Sequence, residues 1–168
     1  MQNYPQNVIE KLPTSDVLVL YSENYSAGII KMEPTQNTNN YLSAVDFSSM
    51  TAGSRSLDDL AASSLSQTDL VIYAGSKTGT TGTIYGNLVD ATIAKGAFCT
   101  LGWTGTVNST DMMFWLEAFF DEANGTTANI AAVNADNDRW NYSYVDLTSL
   151  QTRYWGTSKP QYLYLDGN

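Results

Sequence analysis

The sequence contains no histidine and a single cysteine in 168 residues. Without histidine there is no Ser-His or Cys-His dyad and no imidazole to hold a metal. One thiol, Cys99, can close no internal disulfide and build no thiolate zinc site, so packing alone must hold the fold. Cations are scarce as well: 8 Lys and Arg stand against 17 Asp and Glu, for a net charge of −9. Such a surface repels phosphate backbones and anionic membranes, which argues against nucleic acid as a partner. No run of about 18 apolar residues is present to span a bilayer. A basic start followed by an apolar stretch is also missing, so neither a membrane span nor a signal peptide is expected in this sequence. No cofactor is implied.

What fills the sequence is neutral polarity. The hydrophobic share of 43% is that of a globular protein, while the low charge is made up by 19 Thr, 16 Ser and 14 Asn. At roughly 150 residues per domain, the expectation is one domain over 1–168. Pro5 opens a short helix over 5–12 that Pro13 should end. Asp16–Tyr21 (DVLVLY) and Asp69–Ala74 (DLVIYA) are continuous apolar runs of strand length, the pattern of strands covered on both faces. Ala97–Trp103 (AFCTLGW) is a third strand, Gly28–Met32 a short one, and Glu33–Tyr41 an exposed loop dense in turn formers. Helical spacing predicts helices over Ser56–Leu65, Ile84–Lys95, Ser109–Ala123 and Thr127–Ala135. The third of these is capped by Ser109 or Thr110, packs through Met113, Leu116, Phe119, Phe120 and Ala123, and stops at Gly125. Gln161–Gly167 alternates as a closing strand.

Strands alternating with helices define an α/β fold with a mostly parallel central sheet flanked by helices. Ligands of such sheets collect beyond the carboxyl ends of the strands. That places a site at three post-strand loops: Ser22–Gly28, Gly75–Gly86 and Trp103–Ser109. The middle loop, GSKTGTTGTIYG, carries four glycines and five Ser or Thr residues, a composition that permits unusual backbone angles.

The order of these segments resembles the caspase-like cysteine peptidase fold, the group that includes caspases, gingipains, clostripains and CHAT-domain proteins. The segments that carry the resemblance are SENYSAG (Ser22–Gly28), AGSKTG (Ala74–Gly79), NLVDATIAKGAFCTLGWTGTVN (Asn87–Asn108) and FWLEAFF (Phe114–Phe120). In the family, S-G-H-G-x-x-G carries the catalytic His and S-A-C-x-T-G the nucleophilic Cys. Matched on their Gly and Thr residues, those positions fall here on Asn24 and Ser76. Neither can do the family's chemistry, since a serine hydroxyl needs a base and an amide is none. The resemblance therefore implies a three-layer sandwich that keeps a cleft but has lost its dyad, a pseudopeptidase binding a peptide or partner protein. Ser22, Asn24, Gly75, Ser76, Lys77, Trp103, Thr104 and Asp111 would line that cleft, with Trp103 as a pocket wall and Asp111 receiving a basic side chain. The resemblance also implies strands before Asp16 that this sequence lacks, leaving a sheet edge open to a homodimer or a partner strand. An extracellular or bacterial cell-surface location is favoured on the resemblance alone.

Two other readings stand beside it. A peptidase homologue in inactivated form, or one running on a Ser76–Lys77 pair, would be an enzyme. A glycan or adhesion module would use the C-terminal aromatics Trp140, Tyr142, Tyr144, Tyr154, Trp155, Tyr162 and Tyr164 as a stacking surface. Other features have plainer accounts. The Gly-rich loop lacks both nucleotide-binding glycine signatures. Asp136 and Asp138 lack the glycine and distal Glu of an EF-hand loop. Asp58 with Asp59, and Asp121 with Glu122, read as solvated helix charge, Asp111 alternatively as helix N-terminal charge, and Cys99 as an inert core thiol.

Overall fold

The computed structural model describes residues 5–22, 28–32, 40–81, 83–138 and 153–157. Helix α1 (Pro5–Lys11) runs directly into a 3-10 turn, Leu12–Thr14, which accommodates Pro13 near its start. The α-helix thus ends before Pro13, as expected, and Pro13 is taken up near the start of the 3-10 turn, where the missing N–H is not needed. Then come strands β1 (Val17–Tyr21), β2 (Ile29–Met32), β3 (Asn40–Ser43), β4 (Arg55–Ser56) and β5 (Leu70–Ala74), and helix α2 (Leu88–Ala94). Strand β6 (Cys99–Trp103), helices α3 (Ser109–Ala123) and α4 (Ala128–Asp138), and strand β7 (Arg153–Thr157) complete the described elements.

The fold is α/β. Its main sheet has the order β1-β5-β6-β7, with β1, β5 and β6 parallel and β7 antiparallel to β6. Strand β5 is buried at all five positions, as its unbroken apolar run predicts for a central strand. Alternate side chains divide between two cores. Leu70, Ile72 and Ala74 join Leu101, Trp103 and the packed residues of α3 and α4. Val71 and Tyr73 join Val8, Ile9 and Leu12 at the N-terminus, with Leu57, Leu65, Leu88 and Val89. In the second core the Thr92 hydroxyl donates to Leu88 O at 2.7 Å. Its proton is then spent, so Tyr73 is the donor in the 2.6 Å contact between the two hydroxyls.

Several local expectations are corrected. Asn40 and Tyr41, expected in a loop from their turn-forming neighbours, open β3 in a small second sheet ordered β2-β3-β4. The predicted helix Ser56–Leu65 is instead the end of β4 followed by a single 3-10 turn, Leu57–Asp59. Ser63 sits at φ 63°, which no right-handed helix contains, while Leu57, Leu60 and Leu65 are buried from an irregular path. Helix α2 begins at Leu88 rather than Ile84, because the Asn87 side chain accepts from Val89 N and Asp90 N. Asn108, not Ser109 or Thr110, caps α3, and Met113 faces solvent while Met112 and Trp115 pack. Strand β7 has no counterpart among the predicted elements, and the closing strand expected at Gln161–Gly167 lies outside the described residues.

Cys99 is 3% exposed in the first core, and burial pushes its thiol from 9.0 up to about 12. The unfolded state releases that proton earlier than the folded one. Cys99 therefore contributes stability that is complete below about pH 9 and declines as pH rises toward 12. Burial pushes the Tyr73 phenol up as well, which adds a decline of the same sign from about pH 10. Denaturation midpoints across this range should fall with pH, and Cys99→Ala should flatten the lower part of the slope. An equally steep slope in that variant would remove Cys99 from the account.

Candidate functional site

The carboxyl ends of β1, β5 and β6 lie side by side, and the loops leaving them are stitched together by backbone hydrogen bonds. Ser22 N donates to Ala74 O at 3.2 Å, extending the β1–β5 ladder by one residue. The Ser22 hydroxyl donates to Lys31 O and so ties this end to β2. Gly75 follows at once, and a Cβ there would lie 2.6 Å from Ser22 O. Only glycine lets the β1 and β5 ends approach so closely.

The next four residues each take a fixed role. The Ser76 hydroxyl donates to Val107 O at 3.1 Å and accepts from Val107 N at 2.9 Å. Lys77 N donates to Gly105 O at 2.9 Å, and Lys77 O accepts from Gly28 N at 3.0 Å. Thr78 is buried, with its hydroxyl 2.8 Å from Tyr73 O and accepting from Trp103 N at 3.2 Å. Gly79 N donates to Trp103 O at 3.0 Å, and Asn87 Nδ2 donates to Gly79 O at 3.1 Å. One side chain, Asn87, therefore caps α2 and anchors the loop. Lys77 is held at φ 60°, left-handed backbone that costs an L-residue about 1–2 kcal/mol. Its ammonium is exposed and has no hydrogen bond or ion pair among the described residues.

The residues predicted to line the cleft divide into three groups. Ser22, Gly75, Ser76, Lys77 and Thr104 come together at the sheet end, with Thr104 exposed and its carbonyl accepting from the Thr80 hydroxyl at 3.2 Å. Trp103 and Asp111 belong to the interior. Trp103 is fully buried, edge-on to Trp115 at 5.3 Å, and Trp115 stacks on Phe119 at 5.1 Å. Asp111 is 4% exposed and already engaged, so it is not an open receptor for a basic side chain. Asn24 lies outside the described residues, as do Trp140, Tyr142, Tyr144, Tyr162 and Tyr164, whereas Tyr154 and Trp155 stand in β7. Thr78, Asn87 and Val107 complete the site, and sequence reasoning missed them. All three lay in segments quoted for the resemblance, Thr78 in AGSKTG and the other two in Asn87–Asn108, but none was singled out as a site residue.

Both hydrogen-bonding directions of the Ser76 hydroxyl are used by the N–H and C=O of one residue, and no bond joins it to the Lys77 amine. Among the described residues no group of three or more His, Cys, Asp or Glu is placed to hold a metal. No helix of the described residues is long and apolar enough to cross a membrane. No protein-family model matches this sequence, and no curated protein matches it.

Two substitutions separate the close approach from the strained backbone. Gly75→Ala forces a carbon against the Ser22 carbonyl and should destabilise by about 1–3 kcal/mol. Lys77→Gly relieves the left-handed residue and should leave stability between unchanged and about 1 kcal/mol higher. Urea unfolding of both variants checks the pair, and a destabilised Lys77→Gly would contradict the backbone account.

Proposed function

We propose that this protein is a catalytically degenerate caspase-like domain, a three-layer sandwich that binds a peptide or partner protein in the cleft at the carboxyl ends of β1, β5 and β6. The observation that carries this reading is the Ser76 clasp. The position that resembles the family's nucleophile is spent on Val107 N and O, a structural use that leaves the hydroxyl no proton to give to a base. The absence of histidine from all 168 residues supports it from the sequence side. Convergence of the loops on Ser76 and Lys77 supplies what a binding cleft needs: fixed backbone groups beside exposed side chains.

The test restores the family's residue types. Asn24→His combined with Ser76→Cys should give no hydrolysis of fluorogenic peptide amides, because the cleft has been committed to holding. Turnover by the double variant would instead favour the inactivated-peptidase reading.

A second observation bears on partners. Strand β1 pairs only with β5 among the described strands, and Val17, Leu18 and Val19 are half-buried while Tyr21 is 47% exposed. The matched β5 residues are at most 1% exposed. An apolar edge without proline or charge is a template for strand addition. We infer a homodimer in which β1 pairs antiparallel with itself about Val19, which keeps Leu18 facing Leu20 and Val17 facing Tyr21 on matching sheet faces. Sedimentation equilibrium should show mass rising with concentration, and Val19→Asp should abolish the rise. A clean monomer at the highest soluble concentration would rule the dimer out.

A further inference from the structure

We propose that the ligand of this cleft presents a carboxylate, received at Lys77, in place of the basic side chain that the sequence assigned to Asp111. The inference rests on the cleft reading above and names the chemistry of what binds there.

Three observations carry it. The first is the backbone at Lys77, pinned at φ 60° by hydrogen bonds on both sides, to Gly105 O and from Gly28 N. Glycine would occupy that conformation without steric cost, and asparagine or aspartate with little. A four-carbon cation there keeps a penalty that folding does not require, and a strained residue retained at a site points to a use for its side chain. The second is the state of that side chain, exposed and without an ionic partner among the described residues in a protein of net charge −9. The third is where charge lies along the sheet. Asp16 and Asp69 stand together at the amino ends of β1 and β5, joined by Asp69 N donating to Asp16 O at 2.8 Å. At the carboxyl end stands Lys77, in the loop that follows β5. Of the acids that the sequence put at this end, Asp111 is inside the core and engaged, and Glu23 of the Ser22–Gly28 loop lies outside the described residues.

An exposed ammonium on a turn whose backbone is already fixed fits the carboxylate of a peptide: the charge is met by Lys77 without reorganisation of the loop that presents it. That carboxylate has two sources, the side group of an Asp or Glu and the free C-terminus of a peptide. The experiment separates them. Three short Gly-Ser peptides are titrated into ¹⁵N-labelled protein: one acetylated and amidated with a central Asp, one without Asp but with a free C-terminus, and one acetylated and amidated with a central Lys. The expected result is that one of the two carboxylate peptides shifts the amides of Ser76, Lys77, Gly105 and Val107, and the Lys peptide does not. Lys77→Gly should weaken that binding about tenfold or more, with no loss of thermal stability, so the effect cannot be assigned to unfolding. Binding of the Lys peptide at the same amides, or undiminished binding by Lys77→Gly, overturns the carboxylate assignment while leaving a peptide cleft in place. No shift at these amides with any of the three peptides overturns the cleft reading and the carboxylate with it.

Discussion

Strand β5 can be buried on both faces only because its backbone is paired on both edges, to β1 and to β6. An unpaired peptide group in that interior would cost as much as the burial of a side chain returns. The parallel ladders are therefore the constraint from which the rest follows. They oblige the polypeptide to leave each strand at the same end, and they bring the loops after β1, β5 and β6 within hydrogen-bonding distance of each other. The ladder does not stop where the strands do. Ser22 N to Ala74 O continues it on one edge. On the other edge, Thr78 and Gly79 use side chain and backbone to satisfy Trp103 N and O.

That continuation explains why the residues between Gly75 and Gly79 are held so tightly. A strand that turned away after Ala74 would leave the last polar groups of β6 facing an apolar interior of Trp103, Trp115 and Phe119. Thr78 folds back and meets them instead, and Gly75 gives the room for the reversal. Ser76, two residues earlier, does the same for Val107, the residue that leads into α3. The loop is thus a structural clasp first, and any ligand meets groups already placed by the needs of the fold.

The three parallel strands of the main sheet were legible because they are written in long apolar runs, the pattern of burial on two faces, whereas β7, RYWGT, carries no such run. Helices α3 and α4 were legible from spacing and from Gly125. Of the second sheet only β2 was legible: β3 and β4 are short and rich in Asn and Ser, and their stability comes from neighbours rather than from an alternating pattern of their own. The Ser56–Leu65 segment misled because its leucines are spaced like a helix face. Yet Ser63 in left-handed backbone and the cap formed by Ser56 and Asp59 favour turns, and tertiary burial decides between them. The ends of β1, β5 and β6 fall where the apolar runs stop, so the start of each following loop could be read from the sequence. It did not foresee which way each side chain goes. Trp103 ends β6 at a position that alternation turns into the first core, and Asp111 follows the buried face of α3.

The same alternation decides which residues at this end of the sheet stay exposed. Of the residues at the ends of the three strands, those in phase with the cores vanish into them, and those on the turns remain. Trp103 is of the first kind, Lys77 and Thr104 of the second, while Asp111 is buried by the face of α3 on which it lies. A site assembled from turn residues is built mainly of backbone groups, with few side chains to add specificity. The Lys77 ammonium, free among the described residues, then weighs more than it would on a surface dense in cations. With 8 basic residues against 17 acidic ones, little else competes for an anion there. The left-handed backbone at Lys77 fits this account, because the clasp requires the turn and the turn presents the residue. Strain in the loop and exposure of the ammonium are two results of the one reversal that closes the sheet.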